Sequence, residues 1–150
     1  MDITKDNSAG IWAKKFYLAS RAVVETTLRP YDLGSSQWYV LWHLVHDGPM
    51  AQRDLLRLLQ VEKPTLSGIV RALVRKGIVD QMPDPEDQRQ RILKLTPAGV
   101  RLWHNLPDPI ALIRKDAFEG VDEEDIATVV RVLQSATARL QALANEGKKT

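Results

Sequence analysis

A mainly α-helical chain carrying one small β-hairpin is predicted, an α+β fold of 150 residues. Three observations point to it. Leu66, Ile69, Val70 and Leu73 repeat at i, i+3, i+4, i+7, the stripe of a short helix that faces a core. Two strand-like runs, residues 78–82 and 91–95, flank a polar tip at residues 83–89. Both ends of the chain carry long apolar repeats at helical spacing, Trp12, Phe16, Ala19 and Val23 at one end and Ile126 to Leu143 at the other.

The middle of the chain reads as two short amphipathic helices joined by a tight turn and followed by the hairpin. The first helix is expected to bury Leu55, Leu58 and Leu59. In the second, Pro64 sits in the first turn, where a missing N–H costs little, and Gly77 stands where a helix ends in a left-handed residue. Opposite the apolar stripe lie Thr65, Ser67, Gly68, Arg71 and Arg75, which are small, hydroxylated or cationic. Such a face suits a helix in the DNA major groove: short side chains allow close approach, hydroxyls meet phosphates, and arginines read guanine or neutralise backbone charge. Arg53, Lys63 and Arg91 add positive charge around it. The hairpin tip carries Arg89, and Asp87 two residues earlier is expected to brace its guanidinium. An arginine on a narrow finger can sense minor-groove width. The plainer reading of any one of these cations is a solvated surface charge.

The order of these residues resembles the winged helix-turn-helix of the MarR/SlyA family of bacterial and archaeal regulators. Residues 63–67 (Lys-Pro-Thr-Leu-Ser) resemble the opening of its recognition helix, and residues 77–79 (Gly-Ile-Val) its junction to the wing. Residues 84–89 resemble the wing tip, and residues 95–99 (Leu-Thr-Pro-Ala-Gly) the start of the next helix. The chain departs from the family where Gly68 replaces a frequent arginine, where Gln81 and Met82 replace a basic pair, and where Glu62 replaces Ser or Asp. The resemblance implies a winged helix-turn-helix over residues 35–96, with residues 1–34 and 97–150 forming a helical dimerisation region. It also implies a homodimeric, sequence-specific regulator of transcription, a repressor by expectation, acting on double-stranded DNA.

Composition agrees. The formal net charge is only +2, but residues 48–101 hold ten Lys/Arg against six Asp/Glu, an excess of +4, while the remainder is at −2. The positive excess coincides with the expected DNA-facing surface. Apolar content of 44% excludes wholesale disorder. With no cysteine there is no disulfide framework, and the expectation is a cytoplasmic protein; the resemblance implies a bacterial or archaeal one, associated with the nucleoid. No apolar run reaches transmembrane length, and residues 1–6 lack a signal-peptide core.

In chain order, a long helix is expected over residues 7–29, stopped by Pro30, with a turn at residues 31–34. Ser35 or Ser36 is expected to cap the next helix, whose stripe is Trp38, Leu41, Trp42 and Val45. After the hairpin, Thr96-Pro97 is a cap followed by a first-turn proline. That helix carries Val100, Leu102, Trp103 and Leu106, and Pro107 and Pro109 interrupt it, with Asp108 expected to cap the segment after. The acidic residues 122–125 sit at the positive start of the last helix, and residues 145–150 are expected to form a frayed polar tail. The long apolar stripes of the terminal helices exceed what a small head can cover, so pairing with a second copy is expected.

The resemblance also implies a small aromatic or amphipathic acid as effector, held between the helical base and the head. Trp12, Phe16, Trp38, Tyr39, Trp42 and Trp103 offer walls, and Arg21 and His43 offer partners for an anion; Arg21 and Trp38 match ligand-contacting positions of SlyA-like proteins. An aromatic stripe at helical spacing is more often core than pocket. His43, His46 and His104 raise a zinc-responsive alternative, though without a cysteine or acidic neighbour to complete a ligand set. No cofactor is expected. Nor is an enzyme: there is no Gly-rich phosphate loop, no nucleophile beside a histidine and no convincing carboxylate pair. A remaining alternative is a winged-helix interaction module without DNA binding, for which Gly68, Gln81 and Met82 leave room.

Overall fold

A computed structural model describes residues 8–148, so the expectations for residues 1–7 and 149–150 lie outside it. The chain divides into two compact units, one reaching to Pro109 and one from Ile110 onward.

The first unit begins with α1 (Ala9–Leu28), capped by Ser8, whose hydroxyl accepts from the Ile11 N–H. Only Val24 and Leu28 of α1 are buried; Trp12, Phe16, Tyr17 and Leu18 stay exposed. A 3-10 turn over Arg29–Tyr31 follows, where Pro30 fits the second position, and Asp32 closes it in the left-handed conformation. α2 (Ser35–Asp47) is capped by Gly34, not by either serine. Ser35 is 1% exposed and serves the first turn differently: its N–H donates to Glu25 Oε1 of α1 at 2.9 Å. A carboxylate ten positions away thus satisfies one of the first-turn donors that have no partner within the helix. The stripe of α2 also sits further round than expected, with Trp38, Val40, Leu41 and Leu44 buried and Val45 at the exposed edge.

The sheet has three strands in the order β1-β3-β2, all antiparallel. β2 (Val79–Pro83) and β3 (Arg91–Leu95) are the expected hairpin. β1 (Met50–Ala51) was not expected; it adds two residues against Leu93 and Ile92. Between β1 and β2 lie α3 (Gln52–Leu59) and α4 (Lys63–Arg75). Leu55, Leu66, Val70, Leu73, Val79 and Leu93 fill the centre of the head with Trp38 and Leu41. Leu58 does not join them: at 51% exposed it stands outside the core that Leu55 occupies, since an eight-residue helix turns only its central stripe inward.

α5 (Pro97–Asn105) starts where the sequence places it, and the packing explains Thr96 and Gly99 together. Thr96 Oγ1 accepts from the Gly99 N–H at 3.0 Å and donates to the Gly77 carbonyl at 2.6 Å, while the Thr96 N–H donates to the Ile78 carbonyl at 3.0 Å. This pulls the start of α5 onto the end of α4. A Cβ at Gly99 would lie 2.2 Å from the Ile78 oxygen, so only glycine fits.

α6 (Pro109–Ala117) and α7 (Glu123–Lys148) follow the Pro107–Pro109 break. Within the second unit Arg114 reaches Glu123 at 3.7 Å, and Glu123, Glu124 and Asp125 occupy the positive first turn of α7. α7 has no buried residue, and Val129, Val132, Leu133, Leu140 and Leu143 are exposed along it. Residues 145–148, expected as a frayed tail, continue this helix. Among the described residues no helix is long and apolar enough to cross a membrane.

Candidate nucleic-acid interface

Two short helices and a tight turn place the candidate DNA-facing surface. Gln60 takes the left-handed conformation that ends α3, and α4 starts at Lys63 with no side chain capping its first turn. Leu66, Val70 and Leu73 hold α4 to the core, and Ile69 is half-buried beside them. On the other side Lys63, Thr65, Gly68, Arg71 and Arg75 are exposed and Ser67 is half-buried. Nothing lies within 4 Å of the Cβ position of Gly68, so that face can be approached closely. The far end of α4 is fixed by paired bonds: the Ile78 N–H donates to the Leu73 carbonyl at 3.1 Å and the Gly77 N–H to Val74 at 2.9 Å.

The hairpin tip is built by its own aspartates. Asp84 Oδ1 accepts from the Glu86 N–H at 2.9 Å, and Asp87 Oδ1 accepts from the Arg89 N–H at 3.0 Å. Asp87 therefore acts on the backbone of Arg89, correcting the expected brace to the guanidinium; among the described residues no ion pair joins the two. A carboxylate two residues back is well placed to close an Asx turn.

Between α3, the start of α4 and the hairpin lies a groove of about 430 Å³. Arg53, Lys63, Arg89 and Arg91 line it with Gln52, Gln81, Gln90 and Ser67, and no carboxylate does. A smaller hollow of about 180 Å³, lined by Arg71 and Val74, shares Gln52, Ser67 and Gln81 with it. Gln81 Nε2 donates to Gln52 Oε1 at 2.9 Å, tying the second strand to the start of α3. Five expected residues thus gather in the groove, namely Arg53, Lys63, Ser67, Arg89 and Arg91, with Arg71 in the hollow. Thr65, Gly68 and Arg75 stand on the exposed face of α4 and line neither. Gln52 was missed because its place depends on the unexpected β1. Cations converging without a counter-charge hold polyanions, and amides beside them can bind phosphate or base edges. Arg53 and Arg57 do meet Asp54, but at 4.0 Å and on the surface, too weakly to neutralise the groove.

The aromatic residues divide. Trp38 is buried and stacks on Trp103, ring centres 5.6 Å apart, and meets Tyr39 edge-on. Trp42 stacks on His46 at 4.2 Å. Together Trp38, Trp42, His46 and Trp103 line a cavity of about 230 Å³ closed by residues 106–108. Arg21 is exposed on α1, close enough to act on Tyr39: burial raises the Tyr39 phenol above its ordinary value, Tyr17 adds to this, and the charge of Arg21 opposes it. Trp12 and Phe16 lie on the exposed face of α1 with Lys15 over the Trp12 ring, and His43 turns to Asp47 at 3.5 Å; none of these lines the cavity. His46 Nδ1 faces the Trp42 carbonyl at 2.7 Å, and among the described residues no three His, Cys, Asp or Glu stand together as a metal site.

Residues 31–90 match the MarR family. The HTH-type transcriptional regulator YwoH of Bacillus subtilis is 31% identical over 98 residues, which cover 65% of this chain and 71% of that one. The HTH-type transcriptional repressor IacR of Pseudomonas putida is 22% identical over 142 residues, 95% of this chain and 85% of its own. The fold matches the MepR–DNA complex of S. aureus with a TM-score of 0.78 at 21% identity, covering 88% of this chain and 98% of that one. It matches Bordetella bronchiseptica BpsR, whose DNA binding is regulated by 6-hydroxynicotinic acid, with a TM-score of 0.75 at 22% identity, covering 85% and 97%.

Proposed function

The chain belongs to the MarR family of transcriptional regulators, and from that premise we propose that it is a homodimeric repressor of a pseudo-palindromic operator in double-stranded DNA. The observation that supports this most is the groove of Arg53, Lys63, Arg89 and Arg91, four cations without a carboxylate, beside the exposed face of α4. In this reading Thr65, Ser67, Gly68, Arg71 and Arg75 face the major groove, and Arg71 and Arg75 read bases or phosphates there. Arg53, Lys63 and Arg91 neutralise the backbone, and Arg89 probes the minor groove from a tip that Asp87 shapes. Repression is proposed by analogy with IacR, and DNA binding accords with MepR, crystallised on DNA.

Residues 35–96 are proposed to read DNA, while residues 1–34 and 97–150 bring two copies together through the exposed apolar faces of α1 and α7. Each buried Leu or Val stabilises by roughly 1.5–3 kcal/mol, which favours covering these faces. Two copies of α4 about 34 Å apart would meet half-sites one turn apart. The protein would work in the cytoplasm of a bacterium or archaeon, at the nucleoid. A small aromatic or amphipathic acid is proposed to lower DNA affinity from the cavity of Trp38 and Trp42, with Arg21 and Tyr39 nearby; BpsR supplies the analogy.

Selection of bound fragments from random duplexes by the purified full chain tests this reading. An inverted repeat with half-sites one turn apart is the expected result. Recovery of no common sequence, or of a single unrepeated half-site, would overturn it.

A further inference from the structure

Gln52 directly follows β1, and Gln81 lies on β2; these are the two outer strands of the sheet. The bond from Gln81 Nε2 to Gln52 Oε1 therefore bridges the two sides of the central strand β3. Among the described residues no other side-chain hydrogen bond or ion pair joins the strands of the hairpin to α3 or α4. Register is what lets Gln81 make it. Side chains two apart on a strand share a face, so Gln81 continues the face that Val79 turns into the core. Its cross-strand partner is Leu93, the buried residue of β3.

Beyond the Gln81–Leu93 pair the packing runs out: Ile92 is half-buried, and Met82, Pro83 and Arg91 are exposed. The tip that carries Arg89 begins at Asp84, three residues or about 10 Å further on. The two amides thus hold the hairpin where the core stops holding it, and a slight tilt there is magnified at the tip. Gln52 is half-buried and Gln81 exposed, so the bond bears on direction more than on stability. Both residues line the groove of Arg53, Lys63, Arg89 and Arg91 and also the hollow of Arg71. Resting on the DNA reading given above, we propose that the Gln52–Gln81 pair is a positioning element that sets the hairpin against α4, so that Arg89 and the exposed face of α4 enter adjacent grooves in one register. Two uncharged residues then determine operator selectivity, because they fix the offset between the bases α4 reads and the minor groove that Arg89 senses.

Gln52→Met and Gln81→Met each remove the bond and keep the length of the side chain. Hydrogen exchange of the full chain, followed residue by residue without DNA, tests the tie itself. The Asp84 and Gln90 amides, bonded within the tip, should exchange several-fold faster in both variants, while amides of α4 keep wild-type rates. On the selected duplex each variant should bind roughly tenfold more weakly, one bond being lost from each of two protomers. The double variant should bind no more weakly than either single one. In an Arg89→Ala background the same substitutions should cost nothing further, because the pair acts through the tip. Tip exchange at wild-type rates in both variants overturns the proposal. So does wild-type affinity in the single variants, additive loss in the double variant, or an undiminished loss in the Arg89→Ala background, which would make the amides direct contacts. If the wild-type chain selects no duplex, the operator reading fails and this one with it; selection with unaltered tip exchange fails this one alone.

Discussion

The ammonium of Lys76, at the C-terminal end of α4, donates to the backbone carbonyl of Asp32 and lies 3.5 Å from the Asp32 carboxylate. Gln37 Oε1 accepts from the same ammonium at 3.1 Å and also from the Gly34 N–H at 3.3 Å. One lysine thus ties the end of the helix proposed to read DNA to the corner between α1 and α2, and its charge suits the negative end of α4. Lys76→Met should destabilise the protein by about 1 kcal/mol, the worth of a typical intramolecular hydrogen bond. Because Lys76 lines neither the groove nor the hollow beside it, the salt dependence of DNA binding should not change. Chemical denaturation and binding at two salt concentrations check both halves; a shallower salt slope would make Lys76 a phosphate contact instead.

Arg89 and Asp87 should separate in their effects. Arg89→Ala is expected to weaken operator binding with no loss of stability and to reduce the salt slope by about 2, since one cation is lost from each protomer of the proposed dimer. Asp87→Ala removes the acceptor of the Arg89 N–H. It should weaken binding through a looser tip and leave the slope nearly intact. Filter binding or fluorescence anisotropy across a salt series measures this, and unchanged affinity in Arg89→Ala would remove the hairpin from the interface.

Glu25 gives a pH signature. Hydrogen bonds from the Ser35 side chain and N–H hold its carboxyl below the ordinary 4.5, Arg21 and Arg29 add to this, and burial opposes it. A depressed carboxyl contributes stability that is fully present above its unfolded pKa and is lost as pH falls through the folded value. Glu25→Gln should therefore melt below the wild type at pH 7, with the gap closing in acid below the ordinary value. Thermal unfolding at neutral and acid pH reads it; a gap of equal size at both would assign the loss to shape instead of charge.

Two glycines should respond oppositely to alanine. At Gly99 the added Cβ would meet the Ile78 carbonyl oxygen at 2.2 Å, and the strain should cost about 1–3 kcal/mol. At Gly68 the space is open and the residue lies inside α4, so alanine should stabilise by roughly 0.5–1 kcal/mol. Denaturant midpoints of the two variants decide it, and a stabilised Gly99→Ala would contradict the packing of α5 on Ile78.

What could be read from the sequence was what local spacing determines. The stripe of Leu66, Val70 and Leu73, the left-handed Gly77 and the Thr96 cap depend on residues within a turn or two of one another. The rest depends on partners distant in sequence. Two residues at Met50–Ala51 become a strand only because Leu93 and Ile92 lie alongside, and Gln52 reaches the groove as a consequence. Gly34 replaced the serines as a cap because Glu25 already serves Ser35. Among the site residues, periodicity assigned Arg71 and Ser67 to a face, but it could not place Arg53 and Arg91 in one groove. That requires the hairpin to fold back beside α3. The resemblance also grouped Trp12 and Phe16 with Trp38 as walls of a ligand cleft, whereas α1 leaves the first two exposed and the core takes the third.

The most direct measurement is the affinity of the full chain for its selected duplex as salt rises between about 50 and 200 mM. With the groove of each protomer on DNA phosphates, log K should fall linearly with log salt, at a slope of roughly −4 to −7. A slope near zero would mean that Arg53, Lys63, Arg89 and Arg91 do not face the duplex, and would contradict the account.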